Sequence, residues 1–583
     1  MNSPLSISSA LAYDVPITRT VEGIANSPSF ISRLPNDILE AIFICGACDY
    51  HAEYSGLPIP TPPSWVNVSY VCRHWRNVAL NRPTLWTHLF ITSPRWTEEL
   101  LSRSEQAPLR LHVNTNYCQW SNDWVAGYLA LRFLDQVGNH LERIEELRLH
   151  LPVVHEDDQV FSKLLARAPR LKTLKISTYT IPAEWEWPSV LFHGDTPALR
   201  SLDLLFCPLS WRSFKLSGLT TLSLRHIPVQ FHQSIVEFLA TLRCMRDLRH
   251  LYLDKALLSA AGFLSSAAFH SFPKIDLPLL SRLWISAPLS TVITLLSCVT
   301  VPLKTEIRLE CALEHGPLLD DHTLLSSLLA QRLNTSEDPA QCTPEIRSLV
   351  MKFYGHMHMV TLTLNASERA HDFSSIPHVD WGRNVPLQVA IDFGELVVAG
   401  GRDHMMSNIC CSIPLTKVQS LHVVFPPSSP AFWRKTLGYL RDLRYLKLSK
   451  GCTPDLASIL SFTPHWHRQT AENQYTERSP NQVLAPRLED LELHDITLLT
   501  SRRNTNTASA NLRLLYNALS SRRNSHGHLR MVQCRVDGYD QSIELDMVGQ
   551  WDGGHFHVVE ELRRPYEEPP RFDFSPDYES LEV

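Results

Sequence analysis

The sequence predicts an α/β protein in which a small helical module at residues 30–91 leads into a long solenoid of strand–helix units. Three observations predict it. Residues 30–91 hold two runs of helical apolar spacing on either side of a Pro-rich stretch. From Ile144 onward a pattern of two apolar residues flanking one exposed position, with a further apolar residue three earlier, recurs along the chain. At 583 residues the chain also exceeds the length at which one core stops growing, so a compact module joined to an elongated one is a natural division.

In the first run, SRLPNDILEAIFICG, Leu34, Ile38, Leu39, Ile42 and Phe43 share one helical stripe. Pro35 suits the first turn because its missing N–H has no intrahelical partner there. Asp37 favours the positive end of the helix dipole, and Gly46 offers a stop. The stretch DYHAEYSGLPIPTPP (49–63) is expected to break that helix. In the second run Val68, Val71, Cys72, Trp75 and Val78 follow i, i+3, i+4, i+7 and i+10, which predicts a helix ending at Arg82 before Pro83.

The recurring pattern reads Ile144-x-x-Leu147-x-Leu149, then begins again at Leu171, Leu199, Leu219, Leu248 and Leu280, in steps of 27, 28, 20, 29 and 32 residues. Weaker copies lie near Ile307 and Leu349, and it returns at Val418, Leu443 and Leu488. Helix-like runs fall between copies, at 161–169, 234–245, 324–333 and 512–523. A strand followed by a helix cannot bury its own apolar face, but stacked copies share one core. The spacing is that of a degenerate leucine-rich-repeat (βα) solenoid; an irregular α/β domain is the competing reading.

The remaining segments read as connections. Residues 1–29 form a Ser/Pro-flavoured tail expected to be disordered, 465–487 and 501–511 are polar insertions in the repeat region 92–545, and 546–583 is an acidic, Pro-containing tail. The 44% hydrophobic and 20% charged composition is that of a folded domain. A net charge of −6 argues against nucleic-acid binding as the main activity. Neither a signal peptide nor a continuous apolar run of membrane-spanning length is visible. Thirteen scattered Cys do not form a secreted disulfide framework. A cytoplasmic or nuclear protein is expected.

Over residues 30–91 the chain resembles an F-box domain of the F-box-like type common in fungal proteins. The matching residues are Leu34-Pro35-x-Asp37-Ile38-Leu39, Ile42-Phe43, Val68-x-x-Val71-Cys72-Arg73-x-Trp75-Arg76, Ala79, Leu80, Pro83, Leu85 and Trp86. The continuation LLSRSEQAPLRLHV (100–113) and the repeats that follow are similar to the same group. The Pro-rich loop 49–63 is longer than in a compact F-box, and Asp37 stands where Glu is commoner. The resemblance implies docking onto a Skp-type adaptor of a cullin–RING ubiquitin ligase through Leu34, Pro35, Ile38, Leu39, Val71, Cys72, Trp75, Leu85 and Trp86. It also implies capture of a protein substrate by the repeats, with no catalytic residue and no cofactor. A repeat scaffold that binds partners outside any ligase is the alternative.

Strand side chains alternate, so the position between the last two apolar residues of each copy points away from the core. This marks Arg148, Lys175, Asp203, Ser223, Tyr252 and Trp284, and two positions on His150, Ser177, Leu205, Arg225, Asp254 and Ser286. Arg148, Lys175, Arg225, Tyr252 and Trp284 are the substrate-binding candidates by residue type. Metal binding is weighed and set aside. Cys45-x-x-Cys48-x-x-His51 with Cys72-x-His74 offers soft ligands, but the helical register turns Cys72 and His74 apart. His356 and His358 share a strand face with no third ligand. None of the phosphate-loop, dinucleotide, zinc-protease or nucleophile-elbow motifs is present.

Overall fold

Pro35 has no N–H to give, but its carbonyl starts the first helix by accepting from Ile38 and Leu39, each at 3.1 Å. That helix is α1 (Asn36–Glu53) of a mixed α/β fold seen in a computed structural model. The structure describes residues 34–53, 64–90, 94–114, 132–153, 164–180, 191–207, 214–313 (save 215, 230–231, 233 and 265), 321–333, 346–354, 359–365, 387–392, 399–449 (save 414 and 428), 487–497, 531–537, 544–552 and 555–562. They divide into two units, Met1–Leu199 and Arg200–Val583. The tail 1–29, nearly all of the insertion 465–487, the insertion 501–511, the run 512–523, and His356 and His358 lie outside the described residues.

In the first unit α1 runs through Gly46, where the sequence suggests a stop. Leu39, Phe43 and Ala47 bury one face on both sides of that glycine, and tertiary burial outweighs its weak propensity. The second run is not one helix. A 3₁₀ helix (Ser64–Tyr70) stops at Val71, Cys72 is extended (φ −158°, ψ 170°), and α2 (Arg73–Leu80) starts afresh. Pro83 then opens another short 3₁₀ turn, Pro83–Trp86, as its fixed φ allows. Helix α3 (Pro94–Arg103) packs against this turn and against strand β1 (His88–Phe90).

Strands β2 (Leu109–Asn114), β3 (Ile144–Val153) and β4 (Thr173–Thr180) extend β1 into a parallel sheet in the order β1–β2–β3–β4. Leu89, Leu111 and Leu147 align across it, as do Val113, Leu149 and Ile176, all buried. The helix-like run 161–169 does not form an α-helix at its described residues 164–169; Pro169 and the tight turn from Ala168 to Leu171 stop it.

The second unit begins with β5 (Ser201–Leu205), β6 (Thr221–Arg225), α4 (Ile235–Leu242) and β7 (His250–Asp254). Short helices α5 (Ala261–Leu264) and α6 (Ala267–Ser271) follow, then β8 (Ile275–Asp276), β9 (Arg282–Pro288), α7 (Leu289–Cys298), β10 (Val299–Thr300) and β11 (Glu306–Ala312). Next come α8 (Asp321–Leu333), β12 (Ser348–Tyr354), β13 (Met359–Asn365), β14 (Leu387–Asp392), α9 (Ala399–Ser412), β15 (Ser420–Val424), α10 (Pro430–Tyr439) and β16 (Tyr445–Ser449). The last strands are β17 (Asp490–Thr497), β18 (Met531–Asp537), β19 (Glu544–Asp552) and β20 (His555–Leu562). Residues 546–552 and 555–562, read from the sequence as the start of a tail, thus lie in antiparallel strands, β19 on β18 and β20 on β19.

One backbone unit recurs. The first apolar residue of each copy closes a turn onto the carbonyl three residues earlier: Leu219 to Leu216 at 3.1 Å, Leu248 to Met245 at 3.2 Å, Leu280 to Leu277 at 3.2 Å and Leu443 to Leu440 at 3.4 Å. The carbonyl just before a strand then accepts two N–H groups from the next copy, as Arg200 does from Thr220 (2.7 Å) and Thr221 (3.0 Å). At the far end, Phe206, His226, Lys255 and Phe425 each follow a strand at a φ of 47–54°. A left-handed residue with a side chain costs about 1–2 kcal/mol. Each here gains a hydrogen bond to the next strand, for example Lys255 N–H to Ser286 O at 2.8 Å, which offsets much of that cost.

The leucines of these copies stack in two buried rows, Leu202–Leu222–Leu251–Leu283–Ile307–Leu387 and Leu204–Leu224–Leu253–Ile285–Leu309–Val389. Each side chain so buried contributes roughly 1.5–3 kcal/mol. Helix α4 follows its sequence closely: Ser234 Oγ accepts from Glu237 N, and Ile235, Phe238, Leu239 and Leu242 face inward. Helices α7 to α10 pack in succession, each against the next. The strand order, however, is β9–β11–β14–β13–β12–β15–β16–β17–β18, with β13 antiparallel to both neighbours. Only residues 355–358 separate β12 from β13, too few for a parallel crossover, so the chain turns back there.

Candidate functional site

The helical module of the first unit closes its own interior. Trp86 is fully buried, donates its indole N–H to Ala79 O at 2.9 Å, and lies 5.1 Å from the ring of Trp65. The guanidinium of Arg103 stands 4.2 Å above the Trp86 ring, a cation–π contact from α3. Phe43 on α1 meets Trp75 on α2 with ring centroids 5.0 Å apart. Arg82 pairs with Glu40 at 3.2 Å. Arg143, almost wholly buried, donates to Ser104 Oγ and to the Ala107 and Leu101 carbonyls, and burial lowers its pKa.

Burial sorts the docking candidates. Leu39, Leu85 and Trp86 lie inside the module, Trp75 and Leu34 are half-buried, and Pro35, Ile38, Val71 and Cys72 are exposed. Ile38 keeps 45% of its surface and Val71 60%, far more than apolar residues of a closed core. Two residues outside the candidate list are exposed like them, Ile42 at 47% and Tyr70 at 63%. Ile38, Ala41, Ile42 and Cys45 follow i, i+3, i+4 and i+7, an apolar stripe on the outer face of α1. Its signal was present in the sequence, but periodicity alone does not separate the buried stripe from the exposed one.

Cys72 has a structural task that its apolar spacing hides. It is the N-cap of α2, and its sulfur accepts from Trp75 N at 3.4 Å. The side chains of Cys48 and His51 lie outside the described residues. Among the described residues no three His, Cys, Asp or Glu side chains gather as a metal site, and no helix is long and apolar enough to cross a membrane. The Cys311 and Cys410 thiols are pushed up to about 12 by burial, which removes both as thiolate nucleophiles.

The substrate-binding candidates all lie on strand faces turned from the leucine rows. Arg148 and Lys175 stand opposite each other on β3 and β4, and Arg148 pairs with Glu146 at 2.5 Å. Arg225 holds both carboxylate oxygens of Asp203, at 3.0 and 3.2 Å. Tyr252 and Trp284 are neighbours by register, with rings perpendicular and 6.3 Å apart. The sequence pattern starts at Ile144 and so passes over His88, Arg110 and His112 on β1 and β2, although the alternation Leu109-x-Leu111-x-Val113 marks that strand. No curated protein matches the chain. The family model for F-box-like domains matches residues 31–92, the span of these helices, and the chain therefore carries an F-box-like domain there.

Proposed function

We propose that this chain is the substrate-recognition subunit of a Skp–cullin–F-box type ubiquitin ligase, with residues 34–86 docking the Skp-type adaptor and a leucine-rich-repeat-like region binding substrate. The observation that carries it is the contrast within the module. Leu39, Phe43, Leu85 and Trp86 complete the interior, while Ile38, Ile42, Tyr70 and Val71 remain exposed. Covering the outer half of each such side chain contributes roughly 1 kcal/mol, and clustered apolar anchors of this kind dominate interfaces. The repeated turn, shared carbonyl and left-handed corner support the repeat reading of the second unit.

The test is co-purification of the full chain with a Skp-type adaptor. Ile38→Asp/Ile42→Asp is expected to abolish it while leaving the thermal transition of the chain in place, because both residues are exposed. Undiminished adaptor capture by that variant would overturn the docking face. Leu39→Asp is unsuitable, since a carboxylate at a fully buried position unfolds the module whatever it binds.

A further inference from the structure

The last hairpin of the second unit, β19 and β20, has two unlike faces. On one, Leu545, Met547 and Trp551 of β19 share a side with Phe556, Val558 and Leu562 of β20 and with Val532, Cys534 and Val536 of β18. Glu560 is the one charged residue there. By register Val532 stands beside Leu491 of β17, which is buried, so this is the side of the leucine rows. The other face carries Asp552, His555 and His557. Glu544, Asp546 and Glu561 share that face, as do Arg535 and Asp537 of β18, so carboxylates outnumber the single Arg. Period-two alternation of this kind marks a strand pair with one side to a core and one to water.

Asp552 is the register partner of His555, and His557 follows two residues on, opposite Gln550. Opposite residues of an antiparallel pair have Cα atoms about 4.5–5.5 Å apart, and positions two apart on one strand are separated by about 7 Å. In sequence only Gly553 and Gly554 stand between the two strands. A Gly-Gly pair between two alternating runs is the composition a two-residue hairpin loop demands, so local sequence and sheet register give the same pairing. The side chains of Asp552, His555 and His557 lie outside the described residues; their place on one face follows from the backbone.

Two imidazoles and a carboxylate so placed are a donor set for a transition metal. Zinc takes His nitrogen and Asp oxygen at about 2.0–2.2 Å, and three protein ligands with an open fourth position are an established arrangement. Imidazole favours zinc, copper or nickel over magnesium and calcium, and the surrounding carboxylates favour any cation. The pair His356 and His358 has the same His-x-His spacing but no third ligand beside it in sequence. We propose that Asp552, His555 and His557 bind one zinc ion, which ties β20 to β19 across the hairpin. The fourth position is left to water or to a side chain of a bound protein. Among the described residues β20 pairs with β19 alone. A strand held on one side is weakly fixed, and a metal with ligands from both strands couples its binding energy to their pairing. The site does not depend on the ligase reading.

Titration of the untagged full chain with zinc chloride tests this. Calorimetry is expected to show one strong site per chain above the diffuse uptake of its 27 histidines. His555→Gln/His557→Gln should remove that site. Asp552→Asn should weaken it by at least the cost of losing an outer partner of a ligand, about tenfold or more. His356→Gln/His358→Gln should keep it. Amide hydrogen exchange in 544–552 and 555–562 should slow when zinc is added to wild type, and not in the His555→Gln/His557→Gln variant. If that variant shifts the thermal transition of the metal-free chain, Asp552→Asn carries the same test. An unchanged strong site in the variants of Asp552, His555 and His557, its loss in His356→Gln/His358→Gln, or zinc uptake with no slowing of exchange in the hairpin would each overturn the site.

Discussion

The ring of Trp75 stands 5.0 Å from that of Phe43, tilted by 56°, and this contact joins the two helices of the F-box-like module. Trp75→Ala removes it together with a half-buried indole. A loss of about 2–3 kcal/mol in unfolding free energy is expected by denaturant titration. Ile42→Ala, on the exposed stripe, should stay within about 0.5 kcal/mol of wild type. Equal losses in the two variants would contradict the burial pattern.

Gly46 lies inside α1, and a Cβ there meets nothing within 4 Å. Gly46→Ala should stabilise the chain by about 0.5–1 kcal/mol, since alanine loses less backbone entropy in a helix. A fall in the midpoint of thermal unfolding would show that α1 does not extend past this residue.

His88 is pushed down to about 4 by burial, then by Arg110, while the unfolded chain titrates near 6.5. In that window the unfolded state binds the proton that the folded state refuses, so stability rises with pH from about 4 to about 6.5 and falls on acidification. After discounting for its partly exposed ring, the effect is roughly 2 kcal/mol. His88→Gln keeps an acceptor for Arg110 and removes the titration. Unfolding free energies of variant and wild type should therefore nearly coincide near pH 7 and separate as pH falls toward about 4, with the variant the more stable, and a constant gap would refute the assignment.

Lys255 occupies a left-handed corner with φ 47° while its N–H donates to Ser286 O at 2.8 Å. Lys255→Gly should be neutral or stabilising by up to about 1 kcal/mol, because the relief of strain and the entropy cost nearly cancel. Lys255→Pro fixes φ near −65° and deletes the donor, and should cost about 3 kcal/mol or more. The contrast between the two, read by thermal melting, checks the repeated corner without touching a side-chain contact.

Much of this architecture was legible in the residues. The helical stripe of Leu39 and Phe43, the helix-like run 234–245, and the strands at Leu147, Leu174, Leu202, Leu222, Leu251 and Leu283 are local patterns whose period reports burial directly. The break at Val71–Cys72 was not, because the apolar spacing of Val68, Val71, Cys72 and Trp75 suits one continuous helix. The exposed stripe of Ile38 and Ile42 was equally hidden, since isoleucine has the same periodicity whether it faces a core or a partner. The cluster of His88, Arg110, His112, Arg148 and Lys175 joins residues far apart in the chain, and only strand register brings them together.

By itself the sequence determined the helices at 36–53 and 235–242, the strands of the repeated copies and which faces of those strands turn inward, because these follow from side-chain period and transfer from water. Tertiary structure alone decided that β14, β13 and β12 run in reverse spatial order between β11 and β15. It also decided which apolar residues of the helical module stay outside. Neighbour choice depends on which edges and faces remain open once the other elements have packed, and no local pattern carries that information.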